Sequence, residues 1–225
     1  MEDLQSVLFI GGIIALVIIG GAFSWWQAKK RREAFHALAK KLGMRYRRKD
    51  RSIGSRYSFL NKLDQGSNRY AFNVLEGKYR GHPVHAFDYH YETYSTDSKG
   101  RRQTHHHYFS FFILHQTHFF PELRIYPENF MSKIGQMMGY DDIDFESIEF
   151  SKAFTVRSTD KKFAYDICHT RMMEYLLQDK ALSVEFESQC IALAFDRKLA
   201  VDQFERRLDQ LCEIRELIPD YVYAS

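Results

Sequence analysis

The chain opens on an unbroken apolar run. Residues 7 to 26 hold no ionisable side chain, and Ser24 is the only polar one before Trp25 and Trp26. Twenty helical residues at ~1.5 Å each span the ~30 Å hydrocarbon core of a bilayer, so the run predicts a transmembrane helix. Behind it Phe35, Leu38, Ala39 and Leu42 recur at helical spacing, and Gly43 stands where a C-terminal cap belongs. This predicts a basic juxtamembrane helix over 27–43. Residues 44 to 64 read as a polar connector with a short segment at Tyr57, Phe59 and Leu60. From residue 70 the period changes to two, with Tyr70, Phe72 and Val74 opposite Ala71, Asn73 and Leu75. A turn at 79–82, a long aromatic strand at 84–94, a polar turn at 96–101 and a returning strand at 104–114 complete a meander of two hairpins. A short strand at 123–126 and a helical patch at 130–138 follow.

The last third alternates more clearly. Ser158 and Thr159 can cap a helix over 160–177, with Ala164, Cys168, Met172, Tyr175 and Leu176 on one face. Residues 183–187 and 190–196 read as two strands around a tight Ser188–Gln189 turn. A final helix carries Phe204, Leu208, Leu211, Cys212 and Arg215 and stops near Pro219. Runs of strands followed by mixed strands and helices predict an α+β fold with a mainly antiparallel sheet. There is no internal repeat or Pro-rich linker. The expected organisation is a short N-terminus at 1–6, the span at 7–26, the basic helix at 27–43 and one domain at 44–225.

Charge adds an orientation. Residues 29 to 51 hold eleven Lys or Arg against Glu33 and Asp50, a net +9 in a chain of net +3, which leaves −6 for the rest. Cytoplasmic flanks carry the Lys/Arg excess, so the N-terminus is expected outside and the domain in the cytoplasm, as a single-pass protein of the cell membrane. Cleavage as a signal peptide is disfavoured, because the segment ahead of the run is not basic and the run is too long. Lys29, Lys30, Arg31 and Arg32 are the expected contacts with anionic headgroups. The acidic remainder opposes a nucleic-acid partner. Gly11 with Ala15 and Gly20 with Ser24 form small-xxx-small pairs that allow two spans to pack as a homodimer. Cys168, Cys190 and Cys212 lie far apart in apolar context, without a disulfide framework.

Candidate chemistry gathers in one place. If Ser95 pairs with Arg102 in the second hairpin, His90 faces His107 and Glu92 faces His105, all on one side of the sheet. Cross-strand neighbours lie ~5 Å apart, within reach of a shared divalent ion such as zinc. A one-residue slip scatters these groups over both faces. Asp141, Asp142, Asp144, Glu146 and Glu149 form a carboxylate cluster without a calcium-loop pattern, which reads as a solvated loop. No phosphate-binding loop, nucleophile elbow or HExxH motif occurs. No cofactor is therefore expected beyond a divalent metal at the histidines. The leading expectation is a membrane protein whose domain binds a partner protein or the membrane surface. The alternative is a metal-dependent enzyme, or a metal or pH sensor, at the histidine hairpin.

The stretch from Glu146 through Ser147, Ile148, Glu149, Phe150 and Phe154 to Val156 resembles the signature ES-x-EF-x-x-x-F-x-V of a bacterial family of uncharacterised membrane-anchored proteins. Met172, Met173 and Glu174 fall on the helix that follows this signature there. The resemblance covers residues 140 to 200. It implies a membrane-attached α+β protein without assigning an activity or a functional residue.

Overall fold

The computed structural model describes residues 2–128 and 142–224, the side chains of residues 2–8, Ile10 and Ile13 excepted. The helical patch expected at 130–138 and the carboxylate of Asp141 lie outside these residues. The fold is α+β with an antiparallel sheet, as the pattern predicts.

A single helix α1 (Glu2–Leu42) takes up the apolar run and the basic segment together. It ends in a Schellman cap: the amide of Gly43 donates to the Lys40 carbonyl and that of Met44 to the Ala39 carbonyl, with Gly43 at φ +63°. The expected span at 7–26 falls in part on Val7, Leu8, Ile10 and Ile13, whose side chains lie outside the described set. Among the described residues no helix is long and apolar enough to cross a membrane.

The sheet consists of β1 (Arg45–Asp50), β2 (Ser67–Tyr79), β3 (His82–Thr96), β4 (Arg102–Pro127), β5 (Phe154–Ser158) and β6 (Ser183–Ala194), all paired antiparallel in the order β1-β2-β3-β4-β5 with β6 also on β4. Strand β4 is the spine. Its Ile113 lies between His85 and Ala192, and its Leu123 between Ser158 and Phe186, so β6 runs along one edge while β3 and β5 share the other.

Three expectations for this sheet change, the first being that the strands expected at 104–114 and 123–126 are one strand, β4. The connector at 44–64 contains β1, the short helix α2 (Ile53–Arg56) and a 3-10 turn at Asn61–Leu63. Strand β1 is mostly exposed, so its side chains carry no period-two signal. The hairpin expected at Ser188–Gln189 is one continuous strand, because β4 is long enough to pair both halves of β6. Ser188 marks an irregularity instead, at φ +57° where the register shifts.

Helices α3 (Ile148–Ala153), α4 (Lys161–Ile167), α5 (Thr170–Leu177), α6 (Gln203–Leu217) and α7 (Asp220–Tyr223) complete the fold. The helix expected over 160–177 is two helices, broken where His169 turns to ψ 167° and bonds the Leu217 carbonyl through Nε2 at 2.9 Å. Its cap is Asp160, whose carboxylate accepts from the Phe163 amide. The residues 150–156 turn from α3 into β5, and Phe150, Phe154 and Val156 are all buried with Ala164, Cys168 and Met172.

Alternation along the strands separates two cores. Val84, Ala86, Phe112 and Leu114 face a large core that includes Phe35 and Ala39 of α1 and Phe204 and Leu208 of α6. Phe87, Tyr89, Phe111 and Ile113 face a smaller core closed by Ile53, Tyr57, Leu60 and Leu63. The last turns of α1 therefore belong to the domain: Phe35 is fully buried, with its ring edge-on to Phe204 at 4.8 Å between centroids. The core thus reaches back across Gly43, where α1 ends, into the last turns of that helix.

Candidate functional site

The same alternation places Asp88, His90 and Glu92 of β3 on the α1 side of the sheet. Asp88 is wholly buried and fully bonded. Its Oδ1 accepts from Arg31 Nη2 at 2.8 Å and Ser110 Oγ at 2.9 Å, and its Oδ2 from Arg31 Nε at 2.9 Å and Asn73 Nδ2 at 3.0 Å. A bidentate guanidinium–carboxylate pair has fixed geometry, so this contact sets both the position and the rotation of α1 on the sheet.

The four basic residues singled out at 29–32 therefore divide. Arg31 faces inward to Asp88, with its side chain 21% exposed. Lys29 pairs with Glu33 at 3.9 Å, and Lys30 lies over the Trp26 ring at 3.9 Å. Arg32 lines a cleft of about 290 Å³ with Arg48, Lys49, Lys198, Tyr70 and Tyr108. Lys49 sits 3.6 Å over the Tyr70 ring and Lys198 5.3 Å over that of Tyr108. Besides the paired Arg31, which also lines the cleft, four cations thus stand where α1 leaves the sheet towards Trp26. Ahead of that point the described apolar side chains are exposed: Phe9, Leu16 and Val17 are 70%, 71% and 69% exposed, and Ile18, Ile19, Phe23 and Trp25 are also exposed.

The histidine hairpin pairs one residue away from the expected register. Thr96 lies opposite Arg102, so Glu92 faces His106, Thr93 faces His105 and Tyr91 faces His107. The reason is the loop. Asp97 Oδ1 accepts from the amides of Lys99 and Arg101, and Gly100 at φ +76° donates its amide to the Asp97 carbonyl, closing five residues instead of six. An Asp followed three positions later by Gly is the signal that points to this loop.

The slip removes His105 and His107 from the expected group. His105 Nε2 bonds Ser95 Oγ at 2.7 Å, and His107 Nε2 bonds Thr93 Oγ1 at 2.8 Å, on the opposite face. His106 takes their place beside His90 and Glu92. His90 Nε2 and His106 Nδ1 are 3.1 Å apart, His106 Nδ1 and Glu92 Oε1 3.5 Å, and His90 Nε2 and Glu92 Oε1 4.0 Å. Burial lowers the His90 pKa, with the Asn68 carbonyl and Glu92 opposing. The Asn68 amide, bonded to Oε1 at 2.6 Å, holds the Glu92 carboxyl below its usual range.

A third polar group, missed by the sequence reading, lies in the smaller core. Tyr57 Oη stands 3.2 Å from His85 Nδ1 and 3.0 Å from His115 Nε2, and the two imidazoles are 3.0 Å apart. Burial, then the neighbouring His115, pushes His85 down to about 4. Burial pushes the Cys190 thiol up to about 12 and Cys212 up to about 11. Cys168 is raised by burial as well, so burial holds all three thiols towards the protonated form. Among the remaining carboxylates Asp142 is tied to Arg157 at 2.7 Å, and Glu149, in the first turn of α3 and not in a loop, to Lys180 at 3.2 Å.

No protein-family model matches the chain, and no curated protein matches it. Among solved structures it is similar to the mycobacterial trehalose monomycolate transport factor A, TtfA, with a TM-score of 0.58 and 17% identity over 84% of this chain and 95% of that one. At that identity the likeness speaks for a shared fold.

Proposed function

We propose that this chain is a single-pass membrane protein whose α+β domain is held against the cytoplasmic surface of the bilayer and docks a partner there. The observation that carries this reading is the set of exposed apolar side chains described between Phe9 and Trp26 of α1, on a helix that continues into a basic segment locked to the domain by Arg31 and Asp88. A contiguous apolar surface of this extent calls for a non-aqueous neighbour. The uncharged run at 7–26 has the length of a bilayer span. The lock brings the Arg32, Arg48, Lys49 and Lys198 cleft to the level of the headgroups, where each cation contributes ~1 kcal/mol with anionic lipid.

Two likenesses support the reading. Residues 140 to 200 resemble a family of membrane-attached proteins, and the similar solved structure is named as a transport factor. A structural component of a membrane transport process is the class of role we assign.

Membrane retention through an alkaline wash, together with a C-terminal reporter, tests this. The full chain is expected to stay in the membrane pellet until detergent is added, and a cytoplasm-dependent reporter is expected to be active. Release by alkali alone, a reporter active only outside the cytoplasm, or a mature chain beginning near Phe23 would each overturn it.

A further inference from the structure

The geometry points to a binding site for a first-row divalent metal ion of the zinc class at His90, His106 and Glu92, on the α1 side of the hairpin. The three ligand atoms form a triangle with sides of 3.1, 3.5 and 4.0 Å. The circle through such a triangle has a radius of ~2.1 Å, which is the length of a Zn–N or Zn–O bond. An ion in the plane of the three atoms therefore lies at bond length from each, and lifting it out of that plane into a tetrahedral site needs the atoms to close in by a few tenths of an ångström, which side-chain rotation supplies. Two imidazoles and a carboxylate are a donor set that suits zinc and its first-row neighbours.

The surroundings orient the ligands. His90 is 2% exposed, and its Nδ1 lies 3.2 Å from the Asn68 carbonyl, which accepts the Nδ1 proton and leaves the Nε2 lone pair directed at the triangle. Metal-bound histidines are fixed in the same way, by a backbone carbonyl or carboxylate on the other ring nitrogen. The Asn68 side-chain amide donates to Glu92 Oε1, and Tyr94 Oη donates to Glu92 Oε2 at 3.0 Å. One residue thus positions two ligands. It does so from a backbone that departs from the regular strand: Asn68 is at φ +48°, inside the register shift between Ser67 and Tyr70. Asparagine is among the few side chains that tolerate that conformation.

The His106 side chain is 51% exposed. With three protein ligands, the fourth tetrahedral position opens to solvent on that side. The ion would tie β3, β4 and the irregular start of β2 together at the tip of the hairpin. This site is independent of how the protein is attached to the membrane.

Titration of the detergent-solubilised full chain with Zn²⁺ after chelator treatment tests the site, with the visible absorption of bound Co²⁺ reporting tetrahedral coordination. One equivalent per chain is expected. His106→Ala and Glu92→Gln should each lower the affinity at least ~10-fold, and Asn68→Ala by about 10-fold, as losses of a ligand and of its support do. His105→Ala and His107→Ala should leave it within about twofold, although they alter the same histidine run. The ion should raise the melting temperature of the parent chain and not that of His106→Ala, a half-exposed position whose folding can be checked without metal. Sub-stoichiometric binding, or equal losses in the His105 and His107 variants, would leave an ordinary imidazole–imidazole hydrogen bond and overturn the site.

Discussion

Arg31 grips Asp88 with both arms of its guanidinium, Nη2 to Oδ1 at 2.8 Å and Nε to Oδ2 at 2.9 Å, across 57 positions of sequence. The carboxylate is wholly buried and the guanidinium about one-fifth exposed. Removing one member of a buried pair typically costs ~3–5 kcal/mol, because the other charge is left uncompensated. Asp88 keeps its Ser110 and Asn73 donors when Arg31 is lost, so Arg31→Met is expected to cost ~2–3 kcal/mol. Asp88→Ala strands three groups of donors at once and should cost more. Urea unfolding in detergent measures both, and values within ~0.5 kcal/mol of the parent, the range of an ordinary surface change, would refute the lock.

Phe154 is 2% exposed and packs beside Phe150, the rings tilted by 31° at 5.3 Å between centroids. Truncating such a ring leaves a cavity worth ~3–5 kcal/mol. Phe154→Ala should therefore lower the melting temperature sharply, while His106→Ala in metal-free protein should barely move it. Equal melting of the two variants would mean that the motif at 146–156 does not close the core.

His85 gives a pH dependence of definite sign. The unfolded chain takes up this proton near ~6.5 and the folded protein only near about 4. Between these values the unfolded state binds more protons, so stability falls as pH drops from ~6.5 towards 4 and is level above that window. The difference between pH 7.5 and 4.5 amounts to ~2–3 kcal/mol from this group. His115, lowered chiefly by burial, acts in the same sense. Chemical unfolding at the two pH values should show a smaller difference for His85→Gln than for the parent. An unchanged difference would show that His85 is free to protonate in the folded protein.

Gly43 ends α1 at φ +63°, and a Cβ there would meet nothing within 4 Å. The cost of Gly43→Ala is then backbone strain alone, ~1–2 kcal/mol, and Gly43→Asn should recover part of it. A thermal melt that ranks the three as Gly, Asn, Ala would bear this out, and an alanine variant as stable as the parent would not.

How much was legible depended on whether a signal was local. The apolar run, the meander and the buried stripe at Ala164, Cys168 and Met172 follow from periodicity, and the structure contains the last two as expected. The register of the hairpin rests on one hydrogen-bonded turn at Asp97, which outweighs the side-chain pattern on strands that are polar on both faces near the tip. That single residue exchanges His105 and His107 for His106. Asn68 gave no sequence signal, because its role depends on a backbone irregularity opposite His90. Arg31 looked like its three basic neighbours, and only the tertiary position of Asp88 distinguishes it. The continuity of β6 was hidden because Ser188 and Gln189 make a plausible turn when the length of β4 is unknown.

The clamp between Arg31 and Asp88 also converts sequence spacing into direction. An α-helix turns ~100° and climbs ~1.5 Å with each residue. Five positions separate Trp26 from Arg31, so the compass bearing of the whole sheet about the helix axis is set by a count of residues. One added residue between them would swing the domain by ~100° to face a different neighbour at almost the same height. Seven would bring it back to nearly its original bearing, raised by ~10 Å. The chain thus carries an angular setting for its own domain, written in the count from Trp26 to Arg31 and read by Asp88 in β3.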